Sequence, residues 1–394
     1  MLNDKLAQSV LGREFRFLGS RAFKTGHIWD VEKIRNEFEV CPRCASICTS
    51  RCGRARVLVR EEGIRSENLW LRILMYRYYC KTCRKPFTEP APGVWPRRRT
   101  TQRFRKALAR DCENMTDLSR VRKLQRVSTG LLYQVFYEQC EVKLRERQNQ
   151  PWPEVIGIDE HFFRRTRQGT EFVTMITNIK KRRLFEVAIG KDSKGLMAQL
   201  ESIPGRENVK IVVIDMSDTY KAFVKRMFPN AQIIADKFHV LRLLTPALIK
   251  TRKLIHGHRK DLRWRRLLLA NEKNLDYSVR FDLWRYLESH PKLQELYHTK
   301  ERLYEFYRCK GTMRAAQAFE RFLLSLKLSL LPEIQKLRRT LEKWKHQILL
   351  YFEFRFTNAL TEALNGRGKL LQRRASGYKS FRNYRIRLLT ACAF

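Results

Sequence analysis

Between residues 151 and 236 the chain carries short apolar runs and helical patterns in an order that admits few folds. VIGIDEHFF (155–163), EFVTMITNI (171–179) and RLFEVAIG (183–190) are rich in β-branched and aromatic residues, and the polar turns RRTRQGT and KKR separate them. This spacing predicts three antiparallel strands joined by hairpins. SKGLMAQLESI (193–203) is helical in period behind a Ser cap, and DTYKAFVKRMF (218–228) is helical again. Around the second helix lie two apolar runs, VKIVVIDMS (209–217) and AQIIAD (231–236). A nearly continuous apolar strand is buried on both faces. The order β-β-β-α-β-α-β therefore predicts an α/β domain built on a mixed sheet.

That is the strand order of the ribonuclease H-like fold, in which the first and fourth strands are neighbours. Asp159 interrupts the apolar residues Val155, Ile156 and Ile158, and Asp215 ends the run IVVID. A charge in such a place is costly unless it is paired or bound to a metal. Sites in α/β sheets form at the carboxyl ends of strands, so adjacent strands would bring the two aspartates face to face. Two close carboxylates repel, and a divalent cation relieves the repulsion. Mg²⁺, or Mn²⁺ in its place, suits a site of one or two carboxylates completed by water and phosphate oxygens. Asp192 and Asp218 are read as helix caps. Alternation along the strand places Glu160 opposite to Asp159.

Upstream, Cys41-Pro-Arg-Cys44 and Cys80-Lys-Thr-Cys83 are two CxxC knuckles flanking strand-like sequence, ARVLVREEG and LWLRILMYRYY. Four thiolates from two tight turns make a structural Zn²⁺ site, as in a zinc ribbon. Cys48 and Cys52 have poorer spacing, and Cys112, Cys140, Cys309 and Cys392 read as core or incidental thiols. Residues 91–100, APGVWPRRRT, read as a linker. Residues 101–148 are helical in period, and Val127-Ser128-Thr129-Gly130 breaks the pattern so that 116–138 fits a helix, a tight turn and a helix, with Ser128 or Thr129 as cap. From 237 to about 350 the chain is helical and basic, without strand signals. The predicted organisation is a zinc-ribbon domain over 1–95, a helix-turn-helix-like region over 96–150, and a catalytic domain over 151–394 with a helical insertion at about 240–350.

Lys and Arg number 81 against 40 acidic residues, a formal net charge of +41 in 394 residues. An excess of that size repels itself in the compact state and calls for a polyanion, and nucleic acid is the usual one. No run of about 18 apolar residues is present and no signal-peptide core opens the chain, so neither membrane insertion nor secretion is expected. A reducing, cytoplasmic setting also favours thiols over disulfides.

The whole chain resembles the ISL-three family of bacterial insertion-sequence transposases. The resemblance rests on CPRC…CKTC, GIDEHFF, VVIDMSDTY, IIADKFHVLRL and TEALNGRGKLLQRRASGYKSFRNYRIRLL, taken in their order and spacing. It implies a DDE-type enzyme with a ribonuclease H-like core that cuts transposon ends and joins them to target DNA by two-metal phosphoryl transfer. Asp159 and Asp215 match the first and second acids. The third is Glu362, where this chain has Glu362-Ala363-Leu364-Asn365 in place of the usual Glu-Gly-Leu-Asn; Glu353 is the rival. Asp236 and His239, in ADKFH, match a family stretch that supports the site. Arg97, Arg98, Arg99, Arg103, Arg105, Arg373, Arg374 and Lys379 would contact phosphates of double-stranded DNA, which positions DNA rather than reading it. A homodimer or higher oligomer on nucleoid DNA is expected, since two ends are processed together. The competing readings are a zinc-ribbon regulator without catalysis and another ribonuclease H-like nuclease of the resolvase type.

Overall fold

The computed structural model describes residues 4–392 apart from 24, 35–38, 65–66, 115–116, 146, 148, 168 and 258–261. The chain divides into two compact units, Met1–Lys143 and Leu144–Phe394.

In the first unit, helix α1 (Asp4–Leu11) precedes strands β1 (Phe15–Phe23), β2 (Gly26–Lys33), β3 (Thr49–Ile64), β4 (Glu67–Cys80) and β5 (Pro86–Thr88). They form one sheet in the order β1-β2-β4-β3, with β5 also on β4. β2 and β4 run parallel, whereas β3 pairs with β4 antiparallel. Along β4 the residues Leu69, Leu71, Ile73 and Met75 alternate into the core against Trp29, Val31 and Val59, as a half-buried strand requires. The first 35 residues, which show no strong period, thus supply two strands. Residues 99–101 are not a free linker. Arg60 N–H donates to Arg99 O and Thr101 N–H donates to Arg60 O, each at 2.9 Å. The segment occupies backbone groups that the edge of β3 would otherwise leave unpaired.

Three helices follow: α2 (Gln102–Asn114), α3 (Leu118–Gln125) and α4 (Thr129–Arg145). α2 buries Phe104, Leu108 and Cys112 at helical spacing. Asp117 caps α3, and Arg126 closes it in the left-handed conformation at φ 48°. Ser128 Oγ accepts the Leu131 N–H at 3.2 Å, so it caps α4.

The second unit is mixed α/β. Its strands are β6 (Val155–Thr166), β7 (Gly169–Asn178), β8 (Arg183–Ile189), β9 (Ile211–Ile214) and β10 (Gln232–Ala235). They lie in the order β10-β9-β6-β7-β8. β6, β7 and β8 are an antiparallel meander. β9 and β10 join on the far side of β6, parallel to it and to each other. The first and fourth strands are therefore neighbours, as the sequence predicts. One face is covered by α5 (Ser193–Leu200) and α6 (Asp218–Met227), with Leu196, Leu200, Tyr220, Phe223 and Val224 in its core. Asp192, rather than Ser193, caps α5, and Ser217, rather than Asp218, caps α6.

Helices α7 (Lys237–Leu241) through α14 (Lys345–Phe354) follow β10, and no described strand interrupts them. Leu293, Leu296, Phe306, Phe319 and Phe352 join their interior to the core around the sheet. α15 (Ala359–Arg374) and α16 (Phe381–Ala391) return to the opposite face, where Phe163, Val173, Met175, Leu364, Tyr384 and Leu388 form a separate cluster. No helix among the described residues is long and apolar enough to cross a membrane.

Candidate active site

The register of the parallel strands places three aspartates in one rank. Gly157 on β6 pairs with Val213 on β9, and Ile214 pairs with Ala235 on β10. Two residues past Gly157 comes Asp159, two past Val213 comes Asp215, and one past Ala235 comes Asp236. The sheet thus brings the carboxylates to one level: Asp215 and Asp236 just past the ends of β9 and β10, and Asp159 within β6, just past its pairing with β9.

Asp159 lies close enough for its charge to act on Asp215. Burial pushes both pKa values up, that of Asp215 to about 6. The neighbouring charges of Glu160 and Asp159 raise Asp215 further, and the His239 charge opposes them. Among the described residues Asp215 Oδ1 is buried without a hydrogen-bond partner, as is Glu160 Oε2. These features fit a site for a divalent cation, which accepts hard carboxylate oxygens that no proton donor has taken.

Asp236 has no such vacancy. It is fully buried. Its Oδ2 accepts from His239 Nδ1 at 3.0 Å and His239 N–H at 3.3 Å, and its Oδ1 accepts the Asn358 N–H at 2.8 Å. It caps α7 and pins the start of α15 to the end of β10. The carboxylate holds the His239 pKa above its usual value.

α15 lies along β6 with a face of small and polar residues. Asn358 Nδ2 donates to Ile158 O at 2.8 Å, Thr361 Oγ1 meets Thr177 Oγ1 at 2.7 Å, and Gln372 Nε2 donates to Phe163 O at 3.3 Å. Between them, Asn365 Nδ2 donates to Asp159 Oδ2 at 2.7 Å. Gly157 makes this approach possible: a Cβ there would lie 2.5 Å from Thr361 Oγ1 and closer still to Asn358 Oδ1. His161 is buried on the same side of β6, 3.0 Å from Asn365 Oδ1 and 2.7 Å from Tyr384 Oη on α16. Burial lowers its pKa. Glu160 falls on the opposite side, where its charge acts on Tyr220 of α6.

Glu362 stands in the first turn of α15, and Arg242 Nη1 donates to its Oε1 at 2.9 Å. Glu353 is exposed on α14, at a surface cavity shared with Lys221, Lys343 and Lys345. Among the described residues, the three acids Asp159, Asp215 and Glu362 do not have ligand atoms within 4.8 Å of one another; the group that does is Cys41, Cys44, Cys80 and Cys83. Thr361, Asn365 and Tyr384 lie within the family-like stretch TEALNGRGKLLQRRASGYKSFRNYRIRLL, and Asn358 just before it, but the sequence alone assigns none of the four a role.

The four cysteines meet as the knuckle spacing predicts. Cys41 and Cys83 sulfurs are 3.7 Å apart, and Cys44 and Cys80 sulfurs 3.6 Å. A tetrahedral zinc with Zn–S of about 2.3 Å sets sulfurs about 3.8 Å apart, so the cluster is compatible with Zn²⁺. The backbone N–H of Cys83 helps pull Cys80 down to about 6, which favours the thiolate that a metal needs. Cys48 and Cys52 are exposed and stand outside the group.

The basic residues divide. Arg97, Arg99, Arg373, Arg374 and Lys379 are exposed. Arg98 pairs with Glu138 at 2.9 Å and Arg103 with Glu61 at 2.8 Å. Arg105 departs from its expected role at phosphates: it is 1% exposed and its guanidinium is spent on Glu138 and on Thr100. A buried guanidinium needs such partners, and it has no charge left to offer at the surface.

The family model DDE_Tnp_ISL3, described as Transposase, matches residues 156–388. Those residues run from β6 into α16 and include Asp159, Glu160, Asp215, Asp236, Glu353 and Glu362. The transposase for insertion sequence element IS1001 of Bordetella parapertussis is 22% identical over 368 residues, which span 89% of this chain and 88% of that protein.

Proposed function

The chain belongs to the DDE_Tnp_ISL3 transposase family, and on that premise we propose that it binds the ends of a mobile element and catalyses metal-dependent DNA cleavage and strand transfer. The observation that carries this reading is the rank of acids where the parallel pairing ends, with Asp159 in register with Asp215 and an Asp215 oxygen that is buried without a partner among the described residues. The strand order, an antiparallel meander with two parallel strands added to its first member, supports a ribonuclease H-like core.

Asp159, Asp215 and Glu362 would hold Mg²⁺ or Mn²⁺, which when bound makes an attacking hydroxyl more acidic and stabilises the leaving oxygen, in the two-ion form. The docking of α15 on β6 supports Glu362 as third acid over the exposed Glu353. Asp236 and His239 would support the site by holding α7 and α15 in place. In the first step water attacks phosphorus at the element end, and the bond to the 3′-oxygen breaks to leave a 3′-hydroxyl. That hydroxyl then attacks a target phosphodiester, forming the new P–O bond as the old one breaks. The cysteine cluster would carry a structural zinc. The turn between α3 and α4 fits a DNA-binding helix-turn-helix, and Arg97, Arg99, Arg373, Arg374 and Lys379 would contact phosphates. The protein would act as a dimer or larger assembly on DNA in the bacterial cytoplasm, where two ends must be joined together.

The test is a strand-transfer assay with purified protein, Mg²⁺ and DNA carrying the element ends. Cleavage with joining is expected from the wild type. Asp159→Ala and Asp215→Ala should bind ends and cut nothing. Full cleavage by either variant overturns the assignment. Cleavage without joining would mark a resolvase-type nuclease, and binding alone a regulator.

A further inference from the structure

Asn365 sits at the centre of a chain of side chains that ends on Asp159. Its Nδ2 is 2.7 Å from Asp159 Oδ2, its Oδ1 is 3.0 Å from His161 Nδ1, and His161 Nε2 is 2.7 Å from Tyr384 Oη. The four residues come from β6, α15 and α16. The protons of the chain follow from the chemistry of its ends. An ionised carboxylate only accepts, so the amide must turn its NH₂ to Asp159 and its oxygen to the imidazole. The amide oxygen in turn only accepts, so His161 carries its proton on Nδ1. The neutral ring then has a bare Nε2, which takes the Tyr384 O–H. Every donor in the chain points toward Asp159.

We propose that Asn365 is a positioning residue for catalysis, oriented by His161 and Tyr384, which fixes the Asp159 carboxylate for the divalent cation. The inference rests on the reading of Asp159 as a metal-binding acid. Among the described residues two hydrogen bonds set that carboxylate: from Asn365 Nδ2 to Oδ2, and from the Glu160 N–H to Oδ1 at 2.8 Å. The second is a backbone contact within the same strand, so Asn365 is the side chain that decides which way the group faces. Fixing the orientation of a ligand through its outer hydrogen bond raises metal affinity, and losing such a partner typically costs about 10–100-fold. The helix that carries Asn365 also carries Glu362 one turn earlier, so the same docking registers two of the three acids. Gly368, one turn later, keeps this possible: a Cβ there would lie 2.7 Å from Tyr384 Oη and 3.3 Å from the His161 ring.

The experiment measures Mn²⁺ binding to the full chain by electron paramagnetic resonance, alongside the Mn²⁺ dependence of end cleavage. Asn365→Ala is expected to weaken Mn²⁺ binding by about 10–100-fold and to shift the half-saturating Mn²⁺ of cleavage by the same factor. Tyr384→Phe keeps the ring against Phe163 and removes only the far donor, so it should weaken Mn²⁺ binding by a smaller factor. Gln372→Ala removes a contact of the same helix face that touches no acid, and should leave Mn²⁺ affinity unchanged. Wild-type Mn²⁺ affinity in folded Asn365→Ala overturns the proposal. If that variant does not fold, Tyr384→Phe decides it, with unchanged affinity as the overturning result. Asp159→Ala separates the two levels. Loss of binding there without loss in Asn365→Ala removes only the role of Asn365, whereas equal binding by the wild type and Asp159→Ala removes the reading of Asp159 beneath it.

Discussion

Arg242 and Glu362 meet across 120 residues of chain, with Arg242 Nη1 donating to Glu362 Oε1 at 2.9 Å. Arg242 closes α7, next to Asp236 and His239, and Glu362 opens α15. The ion pair therefore ties the two ends of the helical insertion together at the acid proposed to complete the site. Its arginine is 60% exposed and the glutamate 29%, so the pair contributes only about 0.2–1 kcal/mol.

A cation at Glu362 competes with that arginine. Arg242→Gln is expected to lower the Mg²⁺ needed for half-maximal cleavage by up to about fivefold, the factor that corresponds to 1 kcal/mol. Glu362→Gln should abolish cleavage while end binding persists. A titration of cleavage against Mg²⁺ checks both. A rise of tenfold or more in the Mg²⁺ requirement of Arg242→Gln would show that the arginine works with the metal rather than against it.

Asp215 should make the metal-free protein sensitive to pH. Its folded pKa is raised from 3.8 to about 6, first by burial and then by neighbouring charge. The folded state holds the proton more tightly than the unfolded chain. The stability it contributes is therefore fully present below pH 3.8 and is lost as pH rises through about 6. Asp215→Asn removes the dependence. In the absence of metal it is expected to raise the stability at pH 7.5 by roughly 1–2 kcal/mol once partial exposure is discounted, read as a higher melting temperature, and to leave it unchanged near pH 4. Divalent ions should stabilise the wild type at pH 7.5 but not Asp215→Asn. Thermal unfolding with and without Mg²⁺ across this range provides the comparison.

The cluster of Cys41, Cys44, Cys80 and Cys83 is expected to hold one zinc per chain. Elemental analysis of the purified protein should find it, and Cys80→Ser should lose it, because that substitution removes one of the four sulfur ligands. Cys48→Ser should keep the full zinc content, since Cys48 stands outside the group. Chelation should lower the unfolding temperature of the wild type, because a structural metal contributes its binding free energy to folding.

The acids that interrupt apolar runs stand out in the sequence, because a charge such as Asp159 among Val155, Ile156 and Ile158 is costly unless paired or bound to a metal. So does the adjacency of β6 and β9, which follows from the order of strands and helices. Asn358, Thr361 and Asn365 were not legible. A helix face of small polar residues reads as solvated, and only the absence of a side chain at Gly157 lets that face reach the sheet. Arg105 departs from expectation for a related reason: charge in a basic run says nothing of burial, or of a Glu138 partner 33 residues away. β1 and β2 leave no clear strand signal in the sequence, and β2 finds its parallel partner, β4, only after the whole first knuckle has intervened.

Gly157→Ala tests whether close docking of α15 builds the site. The added methyl would fall 2.5 Å from Thr361 Oγ1 and 2.9 Å from Thr177 Oγ1, among side chains already bonded to one another. Overfilling a well-packed site costs about 1–3 kcal/mol, and here the relief is for α15 to retreat from β6. That retreat would lengthen the bond from Asn365 to Asp159 and displace Glu362. Gly157→Ala is therefore expected to unfold earlier in denaturant and also to bind Mn²⁺ more weakly, the two losses arising together. Gly366→Ala is the matched control on the same helix, because a Cβ there meets nothing within 4 Å. It should leave Mn²⁺ affinity unchanged and stabilise the chain by about 0.5–1 kcal/mol through helix propensity. If Gly157→Ala destabilises the fold yet binds Mn²⁺ like the wild type, Asp159 and Asp215 are placed by the sheet alone and the close approach of α15 is not what builds the cation site.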